Sequence, residues 1–229
     1  MSVFEELIES TLLNLEGWGG DQGIWGTLSA SLTDSATTFT VLGPTLPDGS
    51  GMSTGLMEVG DELVYVQNLN RSTGVVTGAL RGWRGTTPAA HASGTLVRSN
   101  PKYPRVAVSK AINQAILAVW PQLFAVGTAT FTAAWSQPVY ALPDADSIIR
   151  VTWRDTSTTL DVPCMSWRFD KQAARISVGD AMPGSTLTVT YSTRPAVLTS
   201  GQEFTVSGLP AFCEEVILSG LLCAWCPGI

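Results

Sequence analysis

Helical periodicity occurs in three separate stretches of this 229-residue sequence, and short apolar runs of strand character fill both gaps between them. This alternation restricts the chain to architectures in which local helices and antiparallel strands coexist. In the first stretch, Ser2-Val-Phe-Glu5 has capping-box form, a hydroxyl facing an amide three residues on and a glutamate able to reach back. Phe4, Leu7, Ile8, Leu12 and Leu15 then fall on one stripe, Glu5, Glu6 and Glu9 suit the first turns, and Gly17-Trp-Gly-Gly20 ends the helix. The second stretch opens at Tyr103-Pro104 with its apolar face on Val108, Ile112, Ala115, Ile116 and Val119. Pro121 limits it, with a kinked continuation expected through Leu123-Phe124. The third runs from Leu209 to Cys226, has Pro210 near its start and Pro227-Gly228 as its stop, and is apolar nearly all round. Such a helix has to be covered, by a core or by another subunit.

Between Leu28 and Val97 the candidate strands are Thr38–Leu42, Leu56–Val59, Glu62–Val66, Val75–Thr77 and Gly94–Val97, with a turn from Pro44 to Gly55 and a hairpin turn over Asn68–Gly74. Between Gly127 and Leu198 they are Ala129–Ala133, Ser147–Trp153, Ala174–Val178 and Thr186–Tyr191. The economical topology is α+β: a three-helix bundle of N-terminal, central and C-terminal helices with two inserted antiparallel β modules. Its segments are residues 1–24, 101–126 and 201–229 for the helices and 25–100 and 127–200 for the β modules.

Charge is unevenly distributed. Residues 1–62 carry ten acids and no Lys or Arg, residues 63–143 carry seven basic residues and no acid, and residues 144–229 carry nine acids against six bases, which sums to the net −6. Either the blocks neutralise one another within a monomer, or an acidic face of one subunit meets a basic face of the next. Only 14% of residues are charged, against about 25% in an ordinary soluble domain, so much of the surface is expected to be covered by something other than water.

Catalytic signals are sparse. His91 is the only histidine and lies in the acid-free run, among small residues, with no carboxylate nearby in sequence to orient it. No Gly-x-Ser-x-Gly, Gly-x-x-x-x-Gly-Lys or His-Glu-x-x-His occurs. Cys223-Ala-Trp-Cys226 has redox or zinc spacing, yet it closes a helix instead of opening one, so Cys164, Cys213, Cys223 and Cys226 read as reduced, mostly buried thiols. Asp144-Ala-Asp146 and Asp48-Gly-Ser-Gly51 read as turns; neither matches a calcium loop. No catalytic residue, metal ligand or cofactor is assigned, and the chain is expected not to be an enzyme. A cell-wall hydrolase built on Asp144 and Asp146 is the weakest rival. With no long apolar span and no basic start at Met1-Ser-Val-Phe, no membrane association is expected, and synthesis in a cytoplasm is.

Four stretches resemble the head-to-tail adaptor (connector) proteins of tailed bacteriophages, especially those infecting actinobacteria. They are Gly60-Asp-Glu-Leu-Val-Tyr-Val66 with Leu80-Arg-Gly-Trp-Arg-Gly-Thr and Ala89-Ala-His-Ala-Ser-Gly94; Tyr103–Ile116 with Trp120-Pro-Gln-Leu-Phe124; Val139-Tyr-Ala-Leu-Pro143 with Ser185–Tyr191; and Gly208-Leu-Pro-Ala-Phe. Together they span most of residues 60–229 and carry their signal through order and spacing. The family often continues past its third helix with a portal-docking tail, whereas this sequence stops at Ile229.

The resemblance implies a virion structural protein assembled in the host cytoplasm: a homo-oligomeric ring of twelve copies in the neck. Its partners would be the portal protein and a stopper, tail-terminator or tail-tube protein, and DNA would pass through its lumen during genome ejection without specific binding. The acidic net charge suits a lumen that DNA slides through. Candidate subunit-interface residues are Arg81, Trp83, Arg84 and Arg98 of the basic block, Glu5 and Glu9 of the acidic block, and Trp225. The alternative is a host-surface or carbohydrate-binding module of a phage tail using Trp18, Trp25 and Trp83.

Overall fold

The computed structural model describes residues 3–19, 24–43, 54–134, 138–154 and 160–225, without side-chain detail at 16–19, 24, 25 and 221–225. Helices form at the three periodic stretches: α1 (Phe4–Gly19), α2 (Arg105–Ala118) and α3 (Cys213–Trp225). The α1 stripe of Phe4, Leu7, Ile8, Leu12 and Leu15 is buried throughout, as are Val108, Ile112 and Ile116 of α2. Ser2 lies outside the described residues. Glu5 directs its carboxylate to the Gly201 amide at 2.8 Å and to the Ser200 hydroxyl. The α2 helix stops at Ala118, residues 119–122 form turns and a strand begins at Ala125, so no helix continues through Leu123-Phe124. Pro121 has no amide hydrogen to contribute to a further turn. In α3, Cys213 and Ile217 are buried while Val216 is 57% exposed, so the chain covers only one side of the first turns of this helix.

The helices do not make a three-helix bundle from which β modules project. Among the described residues strand outweighs helix, with thirteen strands against three α-helices, and each β region has a core of its own. The first is a closed antiparallel barrel of β1 (Ile24–Leu28), β2 (Phe39–Leu42), β3 (Gly55–Val59), β4 (Glu62–Asn70), β5 (Val75–Leu80) and β6 (Leu96–Ser99), in the order β1-β2-β5-β4-β3-β6. β6 closes it, pairing Arg98 with Trp25 of β1 on one edge and with Glu58 of β3 on the other. Leu28, Phe39, Met57, Val59, Val64, Val66, Leu69, Val76, Ala79 and Val97 fill the interior. Closure removes every strand edge and lets these runs bury one another, so no helical body is needed to cover them. The β4–β5 hairpin turns over residues 71–74, where Asn70 Oδ1 accepts the amides of Ser72 at 3.1 Å and Thr73 at 3.3 Å. Gly74 follows at φ 70°; a Cβ there would sit 2.1 Å from the Val41 carbonyl oxygen.

The second β region contains β7 (Ala125–Thr132), β8 (Val139–Ala141), β9 (Ser147–Arg154), β10 (Asp161–Pro163), β11 (Trp167–Asp170), β12 (Arg175–Val178) and β13 (Thr186–Thr193). These form a four-stranded sheet, β10-β9-β13-β7, and a three-stranded sheet, β11-β12-β8. Both sheets contribute to one core of Tyr140, Leu142, Val151, Cys164, Ile176, Val178, Leu187 and Val189. The chain thus divides into two compact units, one over residues 6–112 and the other over 113–224 with residues 3–5.

Candidate interaction loop of the barrel

Residues 81–95 join β5 to β6 across one end of the barrel, and a single carboxylate organises them. Glu62, the first residue of β4, is 2% exposed. Its Oε1 accepts Arg81 Nε at 2.7 Å and the Gly82 amide at 2.9 Å. Its Oε2 accepts Arg81 Nη2 at 2.6 Å, His91 Nε2 at 2.9 Å and the Ala89 amide at 3.2 Å. Burial pushes this carboxyl up, but the hydrogen bonds from Arg81, His91, Gly82 and Ala89 outweigh it and hold the group down at about 2. Since an ionised carboxylate only accepts, His91 must carry its proton on Nε2. The oxygens are saturated and out of contact with solvent, so this cluster is a clasp that pins both ends of the loop.

His91 is therefore not without an orienting partner; its carboxylate comes from 29 residues upstream. Its backbone also exchanges hydrogen bonds with Leu32, both at 2.8 Å. The remaining Arg81 donors reach the carbonyls of Thr33, Ala36 and Ala89. A signal for Glu62 did exist in the sequence: a run that holds two arginines and a histidine but no acid has to draw its acids from outside itself.

Outside the clasp, the loop presents side chains. Trp83 stacks on Tyr65 with ring centroids 5.0 Å apart and is 38% exposed. Arg84 is exposed and sits at φ 55°, between Gly82 at φ 63° and Gly85 at φ 80°. A left-handed arginine costs about 1 kcal/mol or more and persists only where its surroundings impose it. Here they do: Thr86 Oγ1 accepts the Leu63 amide at 3.1 Å and donates to the Trp83 carbonyl at 3.0 Å. The result is a rigid tip with one indole and one guanidinium facing outward.

A second polar cluster lies in the same unit. Arg98 pairs with Glu58, both side chains nearly free of solvent, and Glu58 also accepts the Arg105 amide at 2.6 Å, which places a buried carboxylate at the N-terminus of α2. Arg105 extends to Asp61 at 2.8 Å and to Glu9 of α1. These groups border a groove of about 340 Å³ together with Leu12, Leu13 and Leu96. In the second unit Asp180 accepts the Met165 amide at 2.8 Å, the Ser166 amide at 3.1 Å and the Cys164 thiol. Burial and the Asp180 carboxylate push that thiol up to about 12.

Of the candidate interface residues, Trp83 and Arg84 face solvent, while Arg81, Arg98 and Glu9 form ion pairs within the chain. Glu5 holds the 200–201 turn. The side chains of Trp225, Trp18 and Trp25 lie outside the described residues, as do the Asp48–Gly51 loop and Cys226. Asp144 is exposed and Asp146 pairs with Lys171. Among the described residues no group of three or more His, Cys, Asp or Glu is placed to hold a metal ion, and no helix is long and apolar enough to cross a membrane. No protein-family model matches the chain, and no curated protein matches it.

Proposed function

We propose that this chain is a virion structural protein, a head-to-tail adaptor whose copies form a ring between the portal and the tail or neck and surround the DNA exit channel. The observation that carries this reading is the clasped loop. It falls in the segment with the adaptor resemblance, it is anchored by five donors on Glu62, and it holds Trp83 and Arg84 outward on a strained backbone. Rigid aromatic and arginine side chains are the residue types that anchor protein interfaces, and preorganisation lowers the entropic cost of docking them. Exposed Phe212 and Val216 at the start of α3 add apolar surface suited to cover by a partner. The net charge of −6 suits a channel that repels the DNA backbone.

Native mass spectrometry and negative-stain electron microscopy of the full chain, alone and mixed with portal protein, test the reading. A twelve-membered ring that binds portal is expected. A chain that stays monomeric and ignores portal overturns it, and glycan binding by that monomer would favour a host-surface module instead.

A further inference from the structure

The second unit has four unpaired strand edges among the described residues: β7 and β10 in one sheet, β8 and β11 in the other. Three of them carry the usual guards against pairing with another chain. β10 is three residues long, ends in Pro163 and has Asp161 paired with Arg154. β11 holds Arg168 and Asp170, and β8 is three residues long and follows Pro138. β7 has no such guard. It is eight residues long, Ala-Val-Gly-Thr-Ala-Thr-Phe-Thr, with neither charge nor proline.

The backbone of β7 is set for a further strand. Ala133, one residue past its end, donates to the Ser185 carbonyl at 2.9 Å and accepts from the Gly184 amide at 2.8 Å. The register is unbroken from Thr186↔Thr132 to Thr193↔Ala125. By antiparallel alternation the odd-numbered residues of β7 bond β13, and Val126, Thr128, Thr130 and Thr132 aim their amides and carbonyls at the open side. The Tyr140 hydroxyl reaches the Thr132 carbonyl at 3.4 Å. The outward groups of Val126, Thr128 and Thr130 have no protein partner among the described residues, and those three residues are exposed.

We infer that β7 pairs antiparallel with β7 of a second copy about a two-fold axis at Ala129, joining the two four-stranded sheets into one. The sequence is self-complementary in that register. Thr128 faces the partner's Thr130, both with open outward groups, so the two pairs flanking the axis are hydrogen-bonded ones; Val126 faces the partner's Thr132, whose outward carbonyl also receives the Tyr140 hydroxyl. On the core side Phe131 faces Gly127, where the Tyr191 ring of β13 already lies over the glycine backbone, so the partner's phenyl ring meets that ring. No like charges meet, as a two-fold contact between charged strands would require. The contact is isologous and closes at two copies, so it is separate from any head-to-tail contact of a ring.

Sedimentation of the full chain over a concentration series, with Thr130→Pro and Ala129→Cys variants, tests this. Thr130→Pro removes an outward donor while sparing the β13 ladder, and should halve the mass of the assembly with circular dichroism unchanged. Ala129→Cys places two thiols on the axis, where non-hydrogen-bonded Cα atoms lie about 4.5 Å apart, within disulfide range. It should yield a covalent dimer under mild oxidation that the parent chain does not. A mass unaffected by Thr130→Pro, or no cross-link at position 129, overturns the pairing. A ring that persists unchanged in the proline variant would reject this contact and leave the adaptor reading standing; a dimer without a ring does the reverse.

Discussion

The Arg81 guanidinium donates from Nε and Nη2 to the two carboxylate oxygens of Glu62, at 2.7 and 2.6 Å, with 6% and 1% of the two side chains exposed. This is a bidentate pair withdrawn from water, and its energetics are asymmetric. Removing both charges with apolar residues of similar volume is tolerated, whereas removing one strands the other.

Arg81→Met alone is therefore expected to destabilise the barrel by about 3 to 5 kcal/mol, because Glu62 keeps a buried charge with reduced compensation. Arg81→Met combined with Glu62→Leu should recover much of that loss. Urea unfolding midpoints at constant m-value check the comparison, and equal losses for the single and double variants would contradict it.

The same carboxylate predicts an acid limit. Its folded value of about 2 lies below the ordinary 4.5, so its stabilisation is fully present above pH 4.5 and is lost as the pH falls through about 2. At one pKa unit per about 1.4 kcal/mol the contribution is about 3 kcal/mol. Thermal melts from pH 6 downward should show Glu62→Gln less stable than the parent at pH 6 and converging with it toward pH 2. Parallel curves would show that Glu62 does not titrate in this way.

At the loop tip, stability and association should separate. Trp83→Ala and Arg84→Glu leave the clasp intact and should change folding stability by about 1 kcal/mol or less, while an anchor lost from an interface costs about 2 kcal/mol of association or more. Arg84→Gly relieves a positive φ and should be neutral or slightly stabilising. Melting temperature and native mass spectrometry on the same preparations decide this, and assembly that withstands all three substitutions would exclude the tip as a contact.

In the second unit, the Cys164 thiol, pushed up to about 12 beside Asp180, should resist thiol reagents at neutral pH until the chain unfolds. Asp180→Ala removes the acceptor of the Met165 and Ser166 amides, with an expected cost of about 1 to 3 kcal/mol and faster labelling of Cys164. Peptide mapping after timed alkylation reads this directly; rapid labelling of the parent protein at Cys164 would refute it.

Strands are legible in this sequence where alternation is uninterrupted and hidden where it is not. β13 stands out as a β-branched run and β4 as far as Val66, but residues 68–70, expected in the hairpin turn, extend β4 and pair with β5; β1 contains Gly26, β10 reads Asp-Val-Pro with all three residues exposed, and β11 carries two charges in four residues. The charge blocks were visible in full, yet their meaning depended on geometry. Glu62 with Arg81, Glu58 with Arg98 and Glu9 with Arg105 are all acid-block to basic-block contacts inside one chain, between residues 19, 40 and 96 positions apart. Ser2 aside, the α1 stripe needed nothing beyond five residues at helical spacing.

Helix positions, most strands and the hairpin turn at Asn70 follow from neighbours within a few residues, because backbone dihedrals and side-chain periodicity are local properties. Which edges meet is a different matter. Closure of β6 onto both β1 and β3, and with it a barrel in place of a helical bundle, depends on register between strands tens of residues apart. Each open edge could equally satisfy its amides with water or another strand. The partner of His91 was decided at that same level, by the register that brings the first residue of β4 under the loop after β5.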